Sequence, residues 1–274
     1  MRTRLAIAVA LVALIWAVLG ILSRVASADE VRLRVAAWNI RHGEGMDHVV
    51  DLSRIADVLR RLDADVITLQ EVDLDTERTD RVDQVAVVAA QLGYRGIHGA
   101  HRPYQGGAYG NAVLTRLPVR ASRTHRIPPA AGAALAVLEV EVVVPGLGPA
   151  SVVSVHLAGS VNERMAQAEA ITGLFAAAEQ PVILAGDFNG RPDDAVVASL
   201  SARWRRLEKV GDRNTYPADR PDREIDFVMV ATNAGLEVID HRVLPEPMAS
   251  DHRPILAVLR VPGTRSVVDD EHRD

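Results

Sequence analysis

The chain has 274 residues, 48% hydrophobic and 24% charged, a balance that reads as globular rather than disordered or fibrous and suits one large α/β domain or two small ones. It contains no cysteine, which rules out disulfide staples, thiolate metal sites and a cysteine nucleophile, so any metal must sit on oxygen or imidazole. The 31 basic residues are all arginine except Lys209, and a formal net charge of −5 argues against a uniformly basic, nucleic-acid-binding surface.

At the N-terminus, Arg2 and Arg4 precede an apolar run from Leu5 to Leu22, and Ala26-Ser27-Ala28 follows just ahead of Asp29. Small residues at Ala26 and Ala28 suit a signal-peptidase site, while the run also reaches the lower length limit for crossing a bilayer. Residues 1–28 therefore read as a signal peptide or an N-terminal membrane anchor. In both cases Arg2 and Arg4 stay cytoplasmic and the rest is delivered across the membrane, so the expected location is secreted or extracytoplasmic. Removing residues 1–28 takes away Arg2, Arg4 and Arg24 and no acid, which moves the net charge from −5 to −8.

From Val31 to Ile40 the pattern is apolar and β-prone, and it breaks at the loop Arg41-His42-Gly43-Glu44-Gly45. Leu52, Ile55, Ala56, Val58, Leu59 and Leu62 recur at helical spacing, and Val66 to Leu69 reads as a buried strand ending at Gln70-Glu71. A helix is expected from Val82 to Leu92, then a Gly- and Tyr-rich loop from Arg102 to Gly110. Strands follow at Ala112 to Thr115, Leu135 to Val144 and Ser151 to His156, the last two joined by a Pro/Gly turn.

A helix from Asn162 to Ala178 leads into a strand from Val182 to Ala185 that ends in Gly186-Asp187-Phe188-Asn189. Beyond a helix near Asp193 to Leu200 and the loop Thr215-Tyr216-Pro217, strands are expected at Ile225 to Val230, Leu236 to Arg242 and Ile255 to Val261. With no linker and no second core, residues 29–263 form one domain, and residues 264–274 read as a disordered polar tail. Strand ends repeatedly carry polar groups: Asn39, Glu71, His156, Asp187 with Asn189, and Asp226 at its strand's start. Strand edges converging on one rim are how sheet scaffolds hold a catalytic cluster.

Six motifs run in order: Trp38-Asn39-Ile40, Leu69-Gln70-Glu71-Val72, Ser154-Val155-His156-Leu157, Gly186-Asp187-Phe188-Asn189, Ile225-Asp226-Phe227-Val228 and Ser250-Asp251-His252. Alone, Glu71 would read as a solvated strand end and His156 as a core histidine. Together, from about Leu33 to Arg260, the motifs resemble the endonuclease/exonuclease/phosphatase superfamily of deoxyribonuclease I-like metal-dependent hydrolases. The resemblance implies a four-layer α/β/β/α sandwich of two mainly antiparallel mixed sheets flanked by helices. It also implies Mg²⁺ or Mn²⁺ held on Glu71 with Asn39 and Asp251, since such hard cations take carboxylates, water and substrate phosphate. Asp187 would orient or deprotonate the attacking water, Asn189 would fix the phosphate, and Asp226 would orient His252. His156 would be a second imidazole on the phosphate.

Arg102, Tyr104 and Asn111 are candidate substrate-binding residues, because Gly110-Asn111-Ala112 resembles the family's segment before its middle strand. Arg41 and His42 are weaker candidates. The expected activity is hydrolysis of a phosphate ester, first a small or lipid-linked phosphodiester such as a lipid headgroup, with nucleic acid second. The chain is expected to act as a monomer, with membrane contact through its N-terminal segment. A non-catalytic binding domain on the same fold is the alternative of another class, against which the joint presence of Asp187, Asp226 and His252 counts.

Overall fold

Along β1 (Arg32–Asn39) the even-numbered Ala36 and Trp38 join a core beneath helices, while Val35, Ala37 and Asn39 point to the opposite face. This period of two recurs in each central strand of the computed structural model, which describes residues 31–262. The expected signal or anchor segment and the polar tail lie outside the described residues. All the described strands and helices fall in one compact unit that begins at Arg32. Among the described residues no helix is long and apolar enough to cross a membrane.

The remaining strands are β2 (Val66–Leu74), β3 (Arg95–Tyr104), β4 (Gly107–Thr115), β5 (Val119–Ala130), β6 (Ala133–Val144), β7 (Gly148–His156), β8 (Val182–Asp187), β9 (Trp204–Arg206), β10 (Asp226–Ala231), β11 (Glu237–Val243) and β12 (Ile255–Arg260). They form two six-stranded sheets, ordered β11-β12-β1-β2-β4-β3 and β5-β6-β7-β8-β10-β9. Each sheet has one parallel pair, β1 with β2 and β7 with β8, and antiparallel pairs elsewhere.

Helices α1 (Leu52–Leu62) and α2 (Gln84–Leu92) cover the outer face of the first sheet, packing Ile55, Leu59 and Val88 on Trp38, Ile67 and Leu69. Helices α3 (Val161–Leu174) and α4 (Ala195–Ser201) cover the second, where Ile171 and Val197 meet Val155, Leu184 and Phe227. Each fully buried Leu or Ile in these layers contributes about 1.5–3 kcal/mol. The helix starts are fixed locally: Asp51 accepts from Arg54 N, Asp83 from Ala86 N, and Ser160 with Glu163 closes a capping box. The four-layer sandwich implied by the motifs is the fold.

The differences from the sequence reading fall at the sheet edges. The segment Arg102 to Gly110, expected as a loop, is the tip of the β3–β4 hairpin, and β3, β5 and β9 were not expected as strands. β3 and β5 are edge strands rich in Arg, His, Gly and Pro, so neither carries an apolar alternation, and β9 has only 3 residues. Helix α3 stops at Leu174, four residues short of the expected Ala178.

Candidate active site

The alternation that builds the layers also builds the site. Asn39, Gln70, Ser154, His156 and Asp187 occupy the faces that the two sheets turn towards each other, Asn39, His156 and Asp187 at the C-terminal ends of β1, β7 and β8 and Gln70 and Ser154 further back on β2 and β7. Cross-sheet hydrogen bonds hold those ends together. Thr68 Oγ1 donates to Ala185 O at 3.1 Å, Gln70 Nε2 to Ser154 Oγ at 3.0 Å, and Ser154 Oγ to Leu69 O at 3.1 Å. Gly186 makes the close approach possible: at φ 144°, a Cβ there would lie 2.1 Å from Val155 O and 2.7 Å from Gln70 Nε2.

Strict alternation would send Glu71 to the helical face. Instead it adopts φ 58° where the β2–β4 register shifts between Leu69 and Val72, which brings its carboxylate to the site. Asn189 is likewise left-handed, at φ 48°. Non-glycine residues held in this region cost about 1–3 kcal/mol each and gather at functional sites.

Asn39 sits at the centre, its amide donating to Glu71 Oε1 at 3.0 Å and to Asp187 Oδ2 at 3.2 Å. Both imidazoles face the same Asp187 oxygen: His156 Nε2 and His252 Nε2 each lie 3.7 Å from Oδ2. His252 Nδ1 donates to Asp226 Oδ2 at 3.0 Å, which is the orienting contact expected from the motifs. Ser250 Oγ donates to Asn39 O at 2.7 Å and Trp38 Nε1 to His252 O at 2.7 Å, locking the Ser250-Asp251-His252 turn onto β1. The Tyr216 ring packs 4.8 Å from the His252 ring, centroid to centroid. In the sequence, Tyr216 stands out only as part of the loop Thr215-Tyr216-Pro217.

Burial works against the charge on His252, but the Asp226 and Asp187 carboxylates outweigh it and raise its pKa to about 10. Burial raises the pKa of Asp187; the His252 charge opposes this and the Asp226 charge adds to it. Burial also opposes ionisation of Glu71, yet His156 and the Asn39 hydrogen bond prevail and hold its pKa below the usual carboxylate value.

Asp187, Asp226 and His252 form the described cluster whose spacing could hold a metal ion. A protonated imidazole cannot ligate, however, and His252 is held in its charged form by the two acids. Glu71 fits a hard cation better: its side chain is 29% exposed, and Oε2 has no protein partner among the described residues. Asp251 lies at the same rim, with Oδ1 accepting from Ser250 Oγ at 3.3 Å and Oδ2 4.0 Å from Arg41 Nε. The donor set is oxygen throughout, which suits Mg²⁺ or Mn²⁺.

Six expected residues sit differently from a simple substrate contact. Asn189 Nδ2 donates to Leu157 O at 2.8 Å and to Asp187 Oδ2 at 3.3 Å, so it holds the Asp187 carboxylate. Asn111 is fully buried between the sheets with Nδ2 donating to Ser154 O at 3.0 Å, and inward-facing alternation on β4 makes it a support for the site rather than a surface on which substrate could rest. Arg102 and Tyr104 belong to a stack in which the Arg102 guanidinium lies 4.8 Å from the Tyr109 ring and Arg78 lies 4.8 Å from the Tyr104 ring. Arg41 is tied to Glu44 at 3.2 Å, and His42 Nε2 lies 3.3 Å from Glu44 Oε2.

Two facing sheets with a carboxylate, imidazole and amide cluster at one rim define a sandwich hydrolase. Residues 36–252 match the sequence profile of the Endonuclease/Exonuclease/phosphatase family. The chain belongs to that family, whose members are divalent-metal-dependent hydrolases of phosphate esters or nucleic acid. Among solved structures, an endonuclease/exonuclease/phosphatase from Beutenbergia cavernae is similar at 25% identity and TM-score 0.66, over 84% of this chain and 72% of that one. The human Nocturnin catalytic domain matches at 18% identity and TM-score 0.62, over 84% and 93% of the two chains. A mannosyl-6-phosphatase from Bacteroides thetaiotaomicron matches at 17% and TM-score 0.65, over 83% and 99%. Comparison with curated proteins returned no match.

Proposed function

We propose that this chain is an exported, Mg²⁺- or Mn²⁺-dependent phosphodiesterase acting on a small or lipid-linked phosphate ester. The observation that carries the proposal is the pair of imidazoles, His156 and His252, each 3.7 Å from one Asp187 oxygen and beside Glu71. Two N–H donors flanking a carboxylate suit a phosphoryl group, whose charge they stabilise while the carboxylate addresses a water. Asp187, with its raised pKa, orients that water and accepts its proton. Charged His252, fixed by Asp226, donates to a phosphoryl oxygen, and His156 donates from the other side. Asn39 and Asn189 hold the Asp187 carboxylate in place. A divalent cation on Glu71 and Asp251 would neutralise phosphoryl charge and ease departure of the leaving oxygen.

Export rests on the Arg2/Arg4 start, the Leu5 to Leu22 run and the Ala26-Ser27-Ala28 site. Mass spectrometry of the extracytoplasmic protein should find Asp29 at the N-terminus where cleavage occurs; an intact chain confined to the cytosol refutes export. The decisive assay compares hydrolysis of several phosphodiester classes with Mg²⁺, with Mn²⁺ and with EDTA. Activity should vanish on chelation and return with either metal, and Glu71→Gln should raise the metal concentration needed while leaving the fold intact. Full turnover in EDTA would sink the metal-dependent reading.

A further inference from the structure

Beside His156, on the inter-sheet face, lies a third imidazole, which the motifs do not include. His101 is the extra residue of a bulge in β3, between the pairs Ala100 with Gly110 and Arg102 with Tyr109. Its side chain is completely buried, its ring centroid lies 6.2 Å from that of His156, and the Tyr109 ring packs edge-on at 5.8 Å. Arg126 Nη1 donates to the His101 carbonyl and fixes the bulge against β5.

Among the described residues neither ring nitrogen of His101 has a protein partner, and neither do His156 Nδ1 or Asn111 Oδ1. Buried polar atoms without a partner cost about 1–3 kcal/mol each and are rare in native proteins, so three of them on the adjacent His101 and His156 rings, and a fourth on Asn111, which bonds Ser154 two residues before His156, call for an explanation. The separation of the two rings is too long for a direct hydrogen bond and suits one bridging solvent molecule. The contrast with His252 sharpens the point: its Nδ1 is engaged by Asp226, whereas His156 Nδ1 has no carboxylate contact among the described residues.

We propose that His101, acting with Asn111 through a buried bridging water, is the positioning residue for His156, holding that ring so that its Nε2 faces the phosphoryl site. The proposal rests on the phosphodiesterase reading for its effect on turnover but not for its effect on the ring. Burial keeps His101 neutral, with a pKa lowered to about 3, so it presents one donor and one acceptor and adds no charge beside Glu71 and Asp187. Which ring nitrogen of His156 carries the proton is thereby set by neutral groups.

The test compares His101→Phe, which fills the space without a polar atom, with His101→Gln, which restores hydrogen bonding. Turnover and KM are measured on bis(p-nitrophenyl) phosphate with Mg²⁺, the His156 ring is followed by long-range ¹H–¹⁵N correlation, and Tm is recorded. His101→Phe should lower kcat by about tenfold or more with KM within about twofold, the scale of losing a group that orients a catalytic one, and should change the His156 ring signals. His101→Gln should recover most of both. Wild-type kcat and unchanged His156 signals in His101→Phe overturn the proposal, as does a His101→Gln enzyme as impaired as His101→Phe with an equal loss of Tm, which would mark a packing role. If the wild-type protein cleaves no phosphodiester, the functional reading fails, and the His156 signals still decide the role of His101.

Discussion

At the site, Asp187 and His252 are neighbours whose charges the fold treats in opposite ways: burial pushes Asp187 towards neutrality, while two carboxylates hold His252 in its charged form. Asp187→Asn should therefore lower turnover by about 10² or more while Tm stays level or rises, because the deleted charge is already disfavoured by burial and by Asp226. His252→Ala should lose similar activity but also cost about 3–5 kcal/mol, since it strands the buried Asp226 carboxylate. Steady-state kinetics paired with urea unfolding separates the two outcomes; equal destabilisation by both variants would contradict this division. Two other histidines contribute to the loss of stability on the acid side. Burial, the largest cause, lowers His101 and His241 from 6.5 to about 3, so both stay neutral in the folded chain where the unfolded chain takes up protons. The stability that depends on them is present above about pH 6.5 and is lost as pH falls towards 3, at about 1.4 kcal/mol per pH unit for each histidine. His241→Phe should reduce the slope of unfolding free energy between about pH 6 and 4 by that amount, and an unchanged slope would show that His241 does not contribute it.

At the level of strands, the start of β10 depends on the only lysine in the chain. Lys209 is buried, and its Nζ donates to Glu224 Oε1 at 2.7 Å and to Asp226 O at 2.8 Å, pinning the residue that orients His252. Lys209→Met should destabilise by about 3 kcal/mol, because among the described residues it leaves Glu224 with only Arg206 at 3.8 Å. Adding Glu224→Gln should recover part of the loss in urea unfolding, and a Lys209→Met variant as stable as wild type would show that the pair contributes nothing net. Lys209 was invisible in the sequence as a structural element, since nothing in the pattern distinguishes a buried lysine from a solvated one. The central strands, by contrast, were legible because each is an apolar run ending in a polar motif, and those polar ends, Asn39, His156 and Asp187 among them, were expected to converge on one rim. Glu71 was legible only through its motif. The left-handed turn that rescues it from the helical face leaves no trace in local composition. β3 and β5 were missed for a related reason: edge strands with one solvated face carry arginine and histidine where central strands carry valine, and His101 was lost with them.

Across the whole molecule, charge is segregated along the sequence in a way that the fold partly undoes. Between Asp83 and Glu139 there is no acidic residue, whereas Arg95, Arg102, Arg116, Arg120, Arg123 and Arg126 all fall there, a composition that by itself reads as a track for a polyanion. In three dimensions Arg116 pairs with Asp63 at 2.7 Å and Asp65 at 2.9 Å, Arg120 pairs with Glu141 at 3.3 Å, and Arg126 is spent on the His101 carbonyl. Arg95, Arg102 and Arg123 remain without a carboxylate partner among the described residues, and of these Arg102, stacked on Tyr109 beside His101, is the one whose neighbour touches the site, which suits one phosphate better than a long backbone. This supports a small ester or a lipid headgroup ahead of nucleic acid. Each phosphate neutralised on a polymer releases counterions, so a nuclease making six or more contacts should lose about 10³-fold or more in affinity between 50 and 200 mM salt. With one or two contacts the loss should be only about threefold to tenfold. The measurement is KM against salt for a small phosphodiester and for sphingomyelin or glycerophosphodiester substrates, alongside nicking of supercoiled plasmid with Mg²⁺. Shallow salt dependence without nicking at comparable enzyme levels is the expected result. Efficient nicking that fades steeply with salt, with the small and lipid esters left untouched, would reverse the ranking and make the chain a nuclease.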